Sequence, residues 1–400
     1  MPSFIAPVSS LIPAYLGDLE ALVNIDSGTH NKPGVDAVGR LLQERLRGFG
    51  AQVTVFPHET FGDCLYGCWR GRGTARILLI GHMDTVYPDG TAAQHPFRQD
   101  GTLLKGPGVC DMKSGLLSAI YAAHAVVASG FDQFAEIGIS CNSEEEIGSP
   151  VSRDQYAPLA RQAKAALILE AGRANGNIVS ARKGLGVFTL TVHGRAAHAG
   201  VEPEKGANAI VALAGYIQAI QALNGCRPGL SVNVCRIEGG TATNVIPDFA
   251  QASIDVRIAR PEDGIAIEQE IRKIIARELI KGTTAELAGT IKPPMVKTPQ
   301  ISHLADLAKQ AAREIGFSID DQATGGTSDG NFTAAFGTPT LDGLGPVGGD
   351  DHNVQAEWLD PQSIAPRTAM VAGLIARICK EGSAGLRGYG GTGNSKSPIG

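Results

Sequence analysis

Apolar residues recur at helical spacing over residues 8–23 and 35–49, and residues 113–128 form an Ala- and Leu-rich helical stretch. Between them lie short apolar runs at 52–56, 76–80, 135–141 and 165–169, and the last two read as strands buried on both faces. Helical spacing returns at 302–315 and 361–379. Strands alternating with helices predict an α/β layered domain, with a mostly parallel mixed sheet covered by helices.

The middle of the chain has another rhythm. Residues 186–192 alternate apolar and polar positions, and a helix follows with Ile210, Leu213, Ile217 and Ile220 on one face. Alternation resumes at 231–237 and 250–258, and a second helix carries Ile267, Ile271, Ile274 and Ile275. A last strand is expected at 284–291. This order is the split βαβ unit of ferredoxin-like α+β domains. The sequence therefore predicts an inserted domain at 184–292, with 1–183 and 293–381 forming the domain that carries the chemistry. Residues 382–400 are rich in Gly and Ser and poor in apolar residues, which predicts a disordered tail.

Four hundred residues, 43% hydrophobic and 19% charged, suit a large buried core organised in two domains. A net charge of −5 argues against a nucleic-acid partner, which needs a basic face to neutralise phosphates. No apolar run reaches the ~18 residues of a membrane span. The first residues lack a basic start ahead of an apolar stretch and already include Asp18, Glu20 and Asp26, so no secretory signal is expected. The seven cysteines are Cys64, Cys68, Cys110, Cys141, Cys226, Cys235 and Cys379. Their odd number and the absence of a C-x-x-C pair favour a reduced, cytoplasmic protein in which most are small core hydrophobes.

Five segments carry candidate chemistry. The apolar run Ile77–Ile80 leads into Gly81-His82-Met83-Asp84, and residues two apart on an extended chain point the same way. A turn-rich loop, Gly106-Pro107-Gly108, delivers Asp111 to the start of a helix, where an Asp also serves as an N-cap. Glu144, Glu145 and Glu146 follow directly on a strand, and such a cluster needs either a cation or full solvation. Glu170 ends a third apolar run, and Asp351-His352 stands in a Gly-rich loop before the last helix. His82, Asp111, Glu146, Glu170 and His352 are imidazole and oxygen donors without a thiolate. They suit two Zn²⁺ ions sharing a bridging carboxylate, and Mn²⁺ or Co²⁺ fit similar ligands. One further glutamate must then stay off the metal as the base.

These motifs, in this order, resemble the co-catalytic zinc metallopeptidase family that includes carboxypeptidase G, aminoacylases and succinyl-diaminopimelate desuccinylase. The resemblance runs over residues 8–379 and is nearest to the carboxypeptidase G-like branch. It implies a zinc exopeptidase-like catalytic domain, two Zn²⁺ per subunit, and a homodimer formed through the inserted domain. By position, Asp111 bridges the ions, His82 and Glu170 complete one site, and Glu146 and His352 complete the other. Asp84 orients His82. Glu145 is the general base, chosen over Glu144 by the alignment of Glu-x-Gly-Ser. A cis peptide is implied at Asp111–Met112. Within the insertion, His198 in Gly194–Gly200 would reach the partner's active site and donate to the oxyanion. Asn244 and the loop Gly325-Gly326-Thr327-Ser328-Asp329 would contact substrate, although a turn before Pro247 and a helix cap at Thr327 or Ser328 account for the same residues. Lys292 stands where the family usually carries Arg, which keeps the charge and loses the two-pronged grip on a carboxylate. The implied activity is hydrolysis of the amide bond of small peptides or N-acyl amino acids with a free carboxylate. An aminoacylase-like deacylase is the near alternative, and a non-catalytic metal- or peptide-binding protein on the same fold is a remote one.

Overall fold

The computed structural model describes residues 3–381; the tail expectation for 382–400 lies outside the described residues. Along the chain come helices α1 (Ile5–Val23) and α2 (Lys32–Gly48), then strands β1 (Gln52–Phe56), β2 (Cys64–Arg70) and β3 (Arg76–His82). Helix α3 (Ser114–Ala128), strand β4 (Glu136–Asn142), helix α4 (Ser152–Gln162) and strand β5 (Ala165–Ile168) follow. The middle holds β6 (Gly184–His193), β7 (Ala197–His198), α5 (Ala209–Gln221), β8 (Ser231–Gly239), β9 (Val245–Ile246), β10 (Phe249–Ile258), α6 (Pro261–Ile275) and β11 (Thr284–Lys292). Towards the end of the described residues come, among others, α7 (Pro299–Ile315), α8 (Asp329–Ala335), β12 (Thr340–Leu341) and α9 (Pro361–Lys380). Contacts divide them into two compact units. The larger takes the chain up to 180, 297–322 and from 328 on; the smaller takes 181–296 and 323–327.

The larger unit is built on a six-stranded sheet of order β1-β2-β4-β3-β5-β12. The pairs β4–β3, β3–β5 and β5–β12 are parallel, while β1–β2 and β2–β4 are antiparallel. Strand β3 is buried along both faces because its side chains alternate between two cores. Ile77 and Leu79 join the cluster formed with α1, α3, α7 and α9, and Leu78 and Ile80 join Tyr156, Ala160 and Phe332 of α4 and α8. Helix starts follow local chemistry. Asn31, Thr298 and Asp360 accept backbone N–H bonds at the starts of α2, α7 and α9, each of which has Pro in its first turn.

Two elements of this unit are hidden in the sequence. Strand β2 reads Cys-Leu-Tyr-Gly-Cys-Trp-Arg and shows no alternation, since most of it is buried. Its Gly67 packs against α2: a Cβ there would stand 2.8 Å from the Leu46 side chain, which would have to shift. Helix α4 contains Pro158, which breaks the helical signal, yet its Tyr156, Ala157 and Ala160 are buried.

The smaller unit is a four-stranded antiparallel sheet of order β8-β10-β6-β11 with helices α5 and α6. This is the expected ferredoxin-like arrangement. Phe188, Leu190 and Val192 of β6 and Ile254 and Val256 of β10 pack with Leu213, Tyr216, Ile220, Ile267 and Ile271 of the two helices. Among the described residues no helix is long and apolar enough to cross a membrane.

Candidate metal centre

Three parallel strands set the frame. The ladder pairs His82 with Asn142, so the end of β3 stands beside the end of β4, from which Glu144–Glu146 follow. On the other side Ile80 pairs with Ile168, and two residues further Glu170 comes level with His82. Neighbouring strands lie ~4.8 Å apart, so this register brings His82 and Glu170 into reach of each other. Such carboxyl ends are where open α/β sheets assemble their sites.

Asp111 arrives from the loop before α3. That helix starts close against the end of β5: a Cβ on Gly115 would stand 1.9 Å from the carbonyl oxygen of Leu169, so only glycine fits. The N-cap position of α3 is Lys113, without a side-chain cap bond, so Asp111 is not the cap. The Asp111–Met112 peptide is cis. A carboxylate absent from the sequence reading, Glu357, holds this loop. It is buried and accepts N–H bonds from Cys110 at 2.8 Å, Gly108 at 3.1 Å and Asp111 at 3.2 Å, with a fourth bond from the Tyr87 hydroxyl at 2.7 Å.

His352 arrives from the segment after β12. Leu344 and Gly345 donate to the carbonyls of Ile168 and Glu170, so this segment runs beside the end of β5. The buried Arg367 guanidinium holds the carbonyls of Gly343, Gly345 and Gly176. Asp350 and His352 adopt left-handed backbone with φ of 55° and 64°. Side chains rarely tolerate this conformation, at a cost of about 1–3 kcal/mol each. Trp358 Nε1 donates to Asp350 at 3.1 Å across the turn.

The five side chains converge. His82 Nε2 lies 3.1 Å from Asp111 Oδ1 and 3.7 Å from Glu170 Oε1. His352 Nε2 lies 3.3 Å from Asp111 Oδ2 and 3.4 Å from Glu146 Oε2. The two oxygens of Asp111 thus face two separate imidazole–carboxylate pairs. Two donors on one four-coordinate zinc, at ~2.0–2.1 Å each, stand roughly 3.3 Å apart. The spacing and the nitrogen and oxygen chemistry therefore fit a pair of divalent cations, and donor atoms of His82, Asp111 and Glu146 all lie within 4.8 Å of one another. The electrostatics agree. Hydrogen bonds donated by the His352 ring to the Asp111 and Glu146 carboxylates push its pKa up to about 11. Burial works against the charge on His82, yet Asp111 and Asp84 raise its pKa well above the usual imidazole value. Burial likewise opposes the Asp111 carboxylate, and His352 and His82 overcome it and hold its pKa low.

The three adjacent glutamates have three environments. Glu144 is fully buried and engaged by the protein, accepting from Ser152 N at 2.6 Å, Ser143 Oγ at 2.6 Å and Val151 N at 3.1 Å. Among the described residues Glu145 makes no such bonds to N–H groups, and loss of solvation raises its pKa well above the ordinary carboxyl value. Glu146 turns to His352. Asp84 connects the parts: its backbone oxygen lies 3.0 Å from His82 Nδ1, and its carboxylate accepts from Thr29 Oγ1 at 2.7 Å, Glu145 N at 3.1 Å and Glu146 N at 3.2 Å. The buried Asp329, expected only as part of the substrate-contacting loop, accepts from Asn142, Ser149 and Tyr156 and so braces the same segment from its other side. Ser328 caps α8, with Asn331 completing a capping box.

The remaining predicted residues belong to the smaller unit. His198 pairs with Val245 in the short β7–β9 ribbon, and Ala199 N donates to Asn244 O at 2.9 Å, so His198 and Asn244 come together. The exposed His198 ring accepts from Gly200 N at Nδ1, 3.1 Å away, which in the neutral ring leaves the proton on Nε2. Lys292 ends β11, paired with Leu185. The Gly325 and Gly326 carbonyls accept from Arg257 and Arg182 at 3.2 and 3.4 Å.

A model of the peptidase dimerisation domain matches residues 180–283. The chain is 31% identical over 368 residues to carboxypeptidase G2 of Pseudomonas sp. strain RS-16, covering 91% of this chain and 89% of that protein. It is 28% identical over 362 residues to succinyl-diaminopimelate desuccinylase of Coxiella burnetii, covering 84% and 92%. Among solved structures, aminopeptidase PepT from Bacillus cereus superposes with a TM-score of 0.75 at 25% identity, covering 92% of this chain and 99% of that one. The M20 family metallo-carboxypeptidase Sso-CP2 from Sulfolobus solfataricus shares the fold, with a TM-score of 0.74 at 16% identity over 91% and 99%. With its identity to carboxypeptidase G2 extending over nine-tenths of its length, the chain belongs to the M20 family of metal-dependent peptidases and amidohydrolases.

Proposed function

We propose that this protein is a two-metal hydrolase, carboxypeptidase G-like, that cleaves the amide bond of small peptides or N-acyl amino acids bearing a free carboxylate. The observation that carries this reading is Asp111, whose two oxygens face separate donor pairs. His82 and Glu170 with Asp111 would hold one cation, and Glu146 and His352 with Asp111 the other. We assign two Zn²⁺ per subunit, with Mn²⁺ or Co²⁺ able to take the same donors. Such cations polarise a carbonyl and lower the pKa of water towards neutrality.

The protein's own groups supply the rest. Glu145 takes the proton of the attacking water and passes it to the leaving nitrogen; the burial that favours its protonated form suits it to hold that proton between the two transfers. Asp84 positions His82 and, through its bonds to Glu145 N and Glu146 N, the segment carrying the base. His198 of the partner subunit donates from Nε2 to the oxyanion. Asn244, Lys292 and the Gly325-Gly326 backbone hold the carboxylate half of the substrate. The reading includes a homodimer, in keeping with the dimerisation domain and with the exposed Val201, Val211 and Ile237 of the smaller unit. It places the enzyme in the cytoplasm, in keeping with seven unpaired thiols.

The test is Glu145→Gln. Metal content measured by elemental analysis should stay at two ions per chain while turnover of a panel of dipeptides and N-acyl amino acids falls by at least ~10³-fold. Near-normal turnover in this variant overturns the base assignment, and wild-type protein that purifies without metal and cleaves no amide overturns the reading.

A further inference from the structure

The peptide between Glu144 and Glu145 is held at both of its polar ends. Its N–H, on Glu145, donates to Asp84 Oδ1 at 3.1 Å. Its C=O, on Glu144, accepts from Ser149 N at 3.0 Å. That second bond closes the short turn Glu145–Ile147, together with Gly148 N, which donates to the Glu145 carbonyl at 2.6 Å. To reach back in this way the chain takes left-handed backbone at Gly148, with φ of 95°, and at Ser149, with φ of 54°. Glycine enters that region freely, whereas a serine there is uncommon and persists only where its surroundings hold it.

Asp329 supplies that hold. The Ser149 hydroxyl donates to Asp329 Oδ1, and both residues are buried. Two further donors fix the carboxylate: the Tyr156 hydroxyl of α4, 2.9 Å from the same oxygen, and Asn142 Nδ2 at the end of β4, on Oδ2. The Asn142 amide is oriented for this by its own Oδ1, which accepts from Ser140 Oγ at 2.8 Å. One carboxylate thus ties the strand end before the glutamates to the residue that closes the turn after them. The dependence is greatest for Glu145. Backbone N–H groups hold the Glu144 side chain and His352 faces that of Glu146, so each has a second hold on its position. Among the described residues no hydrogen bond reaches the Glu145 carboxylate, so its place follows from the backbone that carries it.

We propose that Asp329 is a positioning residue for the general base: acting through Ser149, it fixes the peptide between Glu144 and Glu145 and so the direction from which Glu145 meets the attacking water. The inference rests on the assignment of Glu145 as base in the reading above. It gives the Asp329 side chain no contact with substrate or cation. Misplacing a reacting group by about 1 Å costs on the order of 10²-fold in rate. The loss falls on kcat, because the turn is needed to align the base and not to bind the amide.

Asp329→Ala and Ser149→Ala test this in the zinc-loaded full chain, with kcat, KM, zinc content and melting temperature measured on the amide of the panel that the wild type cleaves fastest. Ser149→Ala removes one hydroxyl and leaves Asn142 and Tyr156 on Asp329, so it decides the question if Asp329→Ala does not fold. Each variant should lose ~10–100-fold in kcat, with KM within about twofold of the wild type and zinc content unchanged. Placed in Glu145→Gln, the same substitutions should cost less than about threefold, because the carboxylate they position is gone. Wild-type kcat in Ser149→Ala overturns the inference, as does a raised KM with kcat kept, which makes Ser149 a substrate contact. Loss of zinc from Ser149→Ala, or an equal fold-loss with and without Glu145, assigns the tether to the metal site and overturns it too. Near-normal turnover in Glu145→Gln sinks the base assignment itself; a Glu145→Gln that has lost turnover beside a fully active Ser149→Ala sinks this inference alone.

Discussion

Glu144, Glu145 and Glu146 are chemically identical and differ only in what surrounds them. Backbone N–H groups of Val151 and Ser152 satisfy the first, loss of solvation raises the pKa of the second, and His352 pairs with the third. The sequence shows that the three carboxylates are crowded, and the alignment of Glu-x-Gly-Ser selects Glu145. The N–H bonds that tie down Glu144 come from seven and eight residues downstream, on the way into α4, which the sequence hides behind Pro158. The imidazoles carry a prediction. His352 has its pKa raised to about 11, so it is protonated at pH 7 when only carboxylates face it, and the carboxylates around His82 shift that ring in the same direction. A divalent cation needs neutral imidazole, so loading must expel the His352 proton. Calorimetric zinc titrations at pH 7 in buffers of different ionisation enthalpy should show release of at least about one proton per chain, with apparent affinity rising with pH. Zinc uptake without proton release contradicts this assignment.

Among the elements, the three parallel strand ends were legible because each apolar run stops at a polar ligand type. The loop that brings Asp111 was legible only in part. Its support, Glu357, lies 246 residues further along, just before the last helix, and nothing local distinguishes it from a surface glutamate. Glutamine at this position keeps one acceptor oxygen but turns an NH₂ group toward either N–H donors or the Tyr87 hydroxyl, so part of the clamp is lost. Glu357→Gln should weaken zinc binding by ~10–100-fold, the usual effect of disturbing the support of a metal ligand. Competition with a chromogenic chelator measures this. Unchanged affinity would show that the loop holds Asp111 without Glu357.

At the level of the whole molecule, the chain leaves the larger unit after residue 180 and returns to it at 297. The smaller unit carries the match to a dimerisation domain and exposes Val201, Val211 and Ile237, with accessibilities of 69, 52 and 58%. Ile237 lies on β8, an edge strand of its sheet, and exposed apolar edges of this kind invite another chain. Sedimentation should therefore give a dimer for the wild type, and Val211→Asp with Ile237→Asp should shift it to a monomer that keeps its zinc. An unchanged dimer would move the interface elsewhere.

Periodicity and ordered motifs were enough to read the α/β and ferredoxin-like architecture and the five candidate donors, because burial rhythm and ligand type are written locally in the chain. Which oxygen of Asp111 faces which imidazole and which glutamate is tied down are questions of strand register and long-range contact. Those depend on partners far apart in the chain, separated by 246 residues for Glu357 and Asp111, 187 for Asp329 and Asn142 and 191 for Arg367 and Gly176, whose buried polar groups meet only when the chain is packed.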